Sequence, residues 1–353
     1  MLQGIYTSLS ALNTNQKALD VTSHNLANQN TEGYTKQRVN FSTNPIKDTA
    51  NTSADIKMGT GTHVQSVERV EDPNLFNELL KANKNNQSNR EMTSTINSLD
   101  NTLQNESFSN MYDIMFKNLH RYAEMPHNIK LQHLVEESAK NLKKRSQQIM
   151  EVFNNEKNKN TEIIKQREQE IPILKKNIED LNNKIKEQEA LNPYSIDKTY
   201  ANDLRDRKDI LTSQLTNKEG SIDGLQKSNK IIEKYQVAFK DSFDSTYKNV
   251  DNYLKSNQTG EDANRLIEKE DNIRNDHKKF FVELKSDRQN FNVALGSSEA
   301  IMNAFQNKDD NISKVNPDEE IVNMMKYQRS YEANAKVIQT MDEILKTTIE
   351  LKK

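Results

Sequence analysis

The side chains able to do chemistry set the first limits. His120, His127 and His133 lie near one another in the chain, with Glu124, Glu136 and Glu137 beside them. Imidazole and carboxylate are zinc ligands, but a helical zinc site needs its ligands one turn apart on one face. No His-x-x-x-His or His-Glu-x-x-His spacing occurs, and Pro126 interrupts the helical period after the first histidine. There is no cysteine, which excludes disulfide scaffolds, thiol nucleophiles and Cys-ligated zinc. The carboxylate pairs Asp309-Asp310 and Glu319-Glu320 read as a solvated loop and a helix N-terminus. No Gly-x-x-x-x-Gly-Lys or Gly-x-Ser-x-Gly run is present. The expectation is a protein with no catalytic residues, no cofactor and no metal, and therefore no enzyme. Lys143-Lys144-Arg145 is too short for a nucleic-acid patch, and the net charge is −2. No run of 18 apolar residues occurs, so no membrane insertion is expected.

What remains is the chemistry of packing, and it concentrates at the two ends. Leu2, Ile5, Leu9, Leu12, Leu19 and Leu26 keep one heptad register, with Gln16 and Ser23 in the remaining slots. A period of 3.5 is the mark of one helix packed along another. Ala11, Ala18 and Ala27 lie beside the seam, and the opposite face is Asn, Thr, Gln and Ser. Asn28 to Gly33 should end this helix, because Asn and Gly tolerate positive φ. At the other end, Asp318, Glu319 and Glu320 follow Pro317 and suit a helix N-terminus. Ile321, Met324, Gln328, Tyr331, Ala335, Ile338 and Leu345 then hold a seam, and Val337, Met341, Ile344 and Thr348 a second stripe. Two stripes imply two partners: the N-terminal helix and a neighbouring subunit.

Between the ends the sequence is of another kind. Hydrophobic residues make up 33% and charged residues 29%, which suits long helices burying one stripe each. Arg38 to Ser42 alternates like a short strand, and residues 46–68 read as a linker or short β region. Asp72-Pro73 starts a helix that runs to about Leu103. A second helix is expected over 110–124, ended by Met125-Pro126, and a long charged one up to Asn192-Pro193, with a kink or a fresh start at Pro172. Gly220 and Gly224 mark a turn, and separate helices follow over 231–250, 280–295 and 300–305. The fold class is therefore mainly α, with the N- and C-terminal helices pairing as a coiled coil, an elongated helical-bundle middle and little β-structure. Residues 1–45 with 316–353 form the terminal domain, and residues 69–315 the helical domain.

Ordering about 25 residues costs roughly 1–2 kcal/mol each, while six buried seam residues return roughly 1.5–3 kcal/mol each. The ends are thus expected to become stably ordered only when further surface covers them. The N-terminus has no Lys or Arg before Lys17 and no compact apolar core, so it does not read as a cleaved signal peptide.

The ends also carry a resemblance. Asn25-Leu26-Ala27-Asn28 followed by Asn30-Thr31-Glu32-Gly33-Tyr34 resembles the N-terminal motif of the bacterial flagellar rod, hook and hook-associated proteins. The run Asn316 to Arg329, with Tyr331 to Ala335 and Met341-Asp342-Glu343, is similar to that family's C-terminal motif. Arg69 to Leu75, the Pro126 break and Asn202 to Asp209 resemble the hook-associated members at the hook–filament junction. The resemblance implies a secreted, extracellular structural subunit that assembles on itself as a ring on the hook tip. Its partners would be the hook protein, a second junction protein, the flagellar type III export apparatus and an export chaperone at the C-terminal helix. It also implies an assembly interface of Leu2, Ile5, Leu9, Leu12, Leu19, Asn25, Leu26, Asn28, Thr31, Gly33, Tyr34, Ile321, Met324, Gln328, Tyr331, Ala335, Ile338, Met341 and Leu345. Such proteins usually carry a β-rich outer domain after the run that starts at Asn202, and little room remains for one here, so a reduced or absent outer domain is expected. Another axial subunit, of hook or rod type, and a secreted coiled-coil adhesin are the alternatives.

Overall fold

A computed structural model describes residues 2–44, 61–103, 107–191, 199–256 and 259–351. Most of the expected linker, and the Leu2 side chain of the N-terminal seam, lie outside what is described. The element order is α1 (Leu2–Ala27), β1 (Gln37–Thr43), β2 (Thr62–Arg69), α2 (Pro73–Leu103), α3 (Ser107–Glu124), α4 (Ile129–Leu191), α5 (Thr199–Lys255), α6 (Gly260–Ile267), α7 (Glu270–Ser313) and α8 (Pro317–Glu350). The protein is mainly α, as its periodicity requires, and among the described residues its one sheet is an antiparallel hairpin in which Val39 pairs with Val67. The start signals act as expected. Asp72 accepts backbone hydrogen bonds from Asn74 (2.9 Å) and Leu75 (3.3 Å) ahead of α2. The Asn316 side chain caps α8 through the backbone N–H groups of Asp318 and Glu319.

Two compact units divide the chain. Unit 1 holds residues 1–80, 173–215 and 304–353, and unit 2 holds residues 81–172 and 216–303. In unit 2 the apolar core draws on α2 from Ile96 onward, α3, the first part of α4, the later part of α5, α6 and α7. Its centre is aromatic: the Phe239 ring lies 6.1 Å from Phe153, 6.1 Å from Phe243 and 5.7 Å from Phe280.

Three expectations are corrected. Gly220 and Gly224 do not turn the chain; α5 runs through both. A Cβ at either position would stand 2.5 Å from a backbone carbonyl oxygen of α2, that of Lys84 or of Ser88. These glycines let two helix backbones come together, a use that local sequence shares with a turn. Pro172 does not start a helix, since α4 continues across it. Pro172 and Glu168 are both exposed, so the carbonyl that the ring leaves without a donor faces water. The separate helices expected over 280–295 and 300–305 are one, because Gly296, Ser297 and Ser298 continue α7.

In unit 1, α1 packs along α8 and against both strands. Three contacts fix the direction of the helix pair. The methyl of Met341 lies 2.4 Å from where a Cβ on Gly4 would be. Asn15 donates to the hydroxyl of Ser330 at 3.0 Å. Asn25 bonds to Glu320. As the α1 number rises the α8 number falls, so the helices are antiparallel. The face of α1 turned to the hairpin is the small one: Ala18 and Val21 join Val39, Val64 and Val67, with Tyr327 packed against them.

Candidate functional site

The end of α1, the loop after it, the start of β1 and the first turn of α8 meet at one side chain, Asn25, which is 1% exposed. Its Oδ1 accepts from the Tyr34 hydroxyl at 2.7 Å and from the Gln37 backbone N–H at 2.9 Å. Its Nδ2 donates to the Gln37 carbonyl at 2.8 Å. The Asn25–Glu320 bond completes the set. A carboxamide suits this place because it offers donors and acceptors on one flat group. Burial raises the carboxyl pKa of Glu320, opposed by the bond from Asn25 and by Lys36. Burial likewise lifts Tyr34 above the usual phenol range, helped by the negative charge of Asp203 and Asp206.

The loop after α1 is shaped by its own residues. Asn28 turns its amide back onto the His24 carbonyl at 2.9 Å, and Thr31 donates to Asn28 at 3.1 Å. Gly33 has φ 73°, and a Cβ there would lie 2.5 Å from the Ile210 side chain. Only glycine meets both conditions without strain. The hairpin is then clamped to α5. Asn202 donates to Gln37 Oε1 at 3.2 Å and to the Val67 carbonyl at 3.3 Å. The Arg69 guanidinium, 7% exposed, is paired with Asp206 (2.9 Å), Asp209 (2.6 Å) and Glu71 (3.1 Å) and donates to the Thr35 hydroxyl at 3.1 Å. Asp206 in turn accepts from the Thr35 backbone N–H at 3.3 Å. Burial pushes its carboxyl pKa up to about 6, against the pull of Arg69. Asp309 is raised by burial too.

The structure therefore sorts the residues expected at an assembly surface. Asn25 is buried, and Asn28, Thr31, Gly33 and Tyr34 form the loop around it. Ile5, Leu12, Leu19, Leu26, Met324, Ala335, Ile338, Met341 and Leu345 are half-buried on α1 and α8. Leu9, Ile321, Gln328 and Tyr331 are exposed. The deepest positions of α1 are instead Ser8, Thr14, Ala18, Val21, Thr22 and Asn25. Thr35, Gln37, Arg69, Asn202, Asp206, Asp209 and Glu320 were not among the expected site residues. Their signal was partly visible, because Arg69 and the run Asn202 to Asp209 lie in stretches that carry the resemblance. No local pattern says that residues more than a hundred positions apart will meet.

Among the described residues, no cluster of three or more His, Asp or Glu is placed to hold a metal ion. The arrangement pins the end of one helix, a hairpin and the start of another helix with hydrogen bonds and ion pairs, which is the work of a scaffold.

Comparison with known proteins agrees with that. Residues 5–35 match a family model described as flagella basal body rod protein. Residues 310–351 match flagellar basal body rod FlgEFG protein C-terminal. The two ends paired in unit 1 are thus similar to those of flagellar axial proteins. Residues 93–220 match flagellar hook-associated protein FlgK helical domain. Together the three support a hook-associated protein within that axial family. Over 72 residues the chain is 40% identical to flagellar hook-associated protein 1 of Bacillus subtilis (strain 168). That stretch is 20% of this chain and only 14% of the length of that relative. No solved structure matches.

Proposed function

We propose that this chain is a structural subunit of the bacterial flagellum, placed at the junction of hook and filament and assembling on itself through its terminal helices. One observation carries the reading: after α1 and α8 have paired, they still present a series of large apolar side chains. Leu9 is 46% exposed, Val322 59%, Val337 42% and Ile344 47%. Such a series on a paired helix is a surface for a further helix. The role is structural rather than catalytic, and the place of action is the extracellular flagellum. Copies stand as a ring on the hook tip, with the hook protein below and a second junction protein above. The subunit reaches that place through the flagellar type III export apparatus, with α8 held by an export chaperone beforehand. The interface comprises the exposed and half-buried members of the two seams.

A strain lacking the gene should build hooks, carry no attached filament and release filament protein into the medium. The variant Leu9→Asp should fold, with unchanged helical circular dichroism, yet fail to restore attachment, because a charge in a closed apolar seam is heavily penalised. Normal filaments in the deletion strain, or full rescue by Leu9→Asp, would refute the assignment.

A further inference from the structure

The two ends of the unit 2 helices are packed by different chemistry. From Ile96 onward α2 lies in the apolar core, with Ile149, Phe153, Ile232, Phe239 and Leu284 around it. The preceding turns are buried just as deeply, yet mostly through polar groups. Asn86 is 4% exposed, Ser88 3%, Thr93 4%, Asn160 2%, Ser221 2% and Ser228 0%.

Hydrogen bonds join the helices across this seam. Asn86 donates to Ser298 at 3.3 Å, Ser88 to Asp223 at 2.8 Å and Asn160 to Asn229 at 3.1 Å. Thr93 donates to the Phe291 carbonyl at 3.1 Å. Glu91 accepts from Arg167 at 3.0 Å and also from Ser221. Gly220 and Gly224 lie in the same stretch, where an added Cβ at either would meet the α2 backbone.

Water competes with every one of these bonds, whereas nothing replaces apolar burial when a core opens. Glycine inside a helix also weakens the local hold. We propose that the polar seam is a built-in soft segment. Residues 82–93, 156–170, 216–229 and 291–303 separate as one local opening while the apolar core from Ile96 onward stays closed. The seam therefore gives unit 2 a place where helix spacing changes and unfolding begins without loss of the core. The proposal concerns the isolated chain and does not depend on its position in the flagellum.

Hydrogen–deuterium exchange on the full-length chain tests it. Backbone amides in the four seam segments should exchange about 100-fold faster than those near Leu99, Phe153 and Phe239, with little dependence on low urea. The variant Thr93→Val keeps the shape and replaces a polar contact with an apolar one. It should slow seam exchange several-fold and leave the core amides unchanged. Ile149→Val should speed core exchange several-fold and leave the seam unchanged. Equal protection of seam and core would overturn the proposal. So would seam amides that follow Ile149→Val in step with the core, because unit 2 would then open only as a whole.

Discussion

Replacing Asn25 by aspartate exchanges one donor group for an acceptor at a buried side chain that ties α1 to β1 and α8. The new carboxylate can still accept from Tyr34 and the Gln37 N–H, but it loses the donor held by the Gln37 carbonyl at 2.8 Å. It also faces Glu320, the former partner of the amide. Each lost or stranded buried bond costs about 1–3 kcal/mol. Two like charges about 4 Å apart at a partly buried site repel by up to about 4 kcal/mol. Unit 1 should therefore lose about 3–5 kcal/mol at pH 7. Asn25→Ala, which also removes the acceptor of the Tyr34 hydroxyl and the Gln37 N–H but adds no charge, should lose about 2–4 kcal/mol. Acid should separate the two, because protonating one carboxyl restores a donor. At pH 5 the aspartate variant should recover more stability than the alanine variant. Amide exchange along α1 and β1 is the assay, where 3 kcal/mol corresponds to roughly a 150-fold rise in rate. Wild-type protection in the aspartate variant at pH 7, or no recovery at pH 5, would refute the claim that this amide pins the end of α1.

Gly220→Ala should destabilise unit 2 by about 1–3 kcal/mol in urea unfolding, although alanine is the better helix former, because the added Cβ would stand 2.5 Å from the Lys84 carbonyl. His277 packs between Tyr112 (4.7 Å) and Phe281 (5.0 Å), and burial lowers its pKa to about 4. The unfolded chain takes up a proton first, so unit 2 should lose about 2–3 kcal/mol as pH falls from about 6.5 to 4, and His277→Phe should abolish that slope in acid-dependent melting. Asp206 behaves in the opposite sense: with its folded pKa raised to about 6, protonation favours the native state. Unit 1 should lose about 2–3 kcal/mol as pH rises from about 4 to 6, and Asp206→Asn should flatten the pH dependence of its unfolding.

Much of the helical framework was legible because its punctuation is chemical. Asp72-Pro73, Met125-Pro126 and Asn316-Pro317 act through fixed φ and side-chain caps, which need no distant partner. Gly220 and Gly224 were misread because a glycine that ends a helix and one that admits a second backbone look alike locally. On α1, heptad spacing marked the leucines, yet the most buried positions are Ser8, Thr14, Ala18 and Thr22. The hairpin comes close to α1, so small residues go deepest, and that hairpin carried only a faint signal. The clamp of Arg69 on Asp206 and Asp209 was out of reach for another reason: it joins a strand end to a helix that follows long after it.

The antiparallel pairing of α1 with α8 has a kinetic side. Asn15 and Ser330 are 315 positions apart, so α1 cannot find its mate until the chain has emerged past Ser330. Closing a loop of that length carries an entropic cost of about 5 kcal/mol beyond a constant. Unit 2, whose residues all lie between the two helices, can form first and shorten the effective loop. Unit 1 should accordingly be the last part to close during synthesis or refolding and the first to be lost to a protease that trims α8.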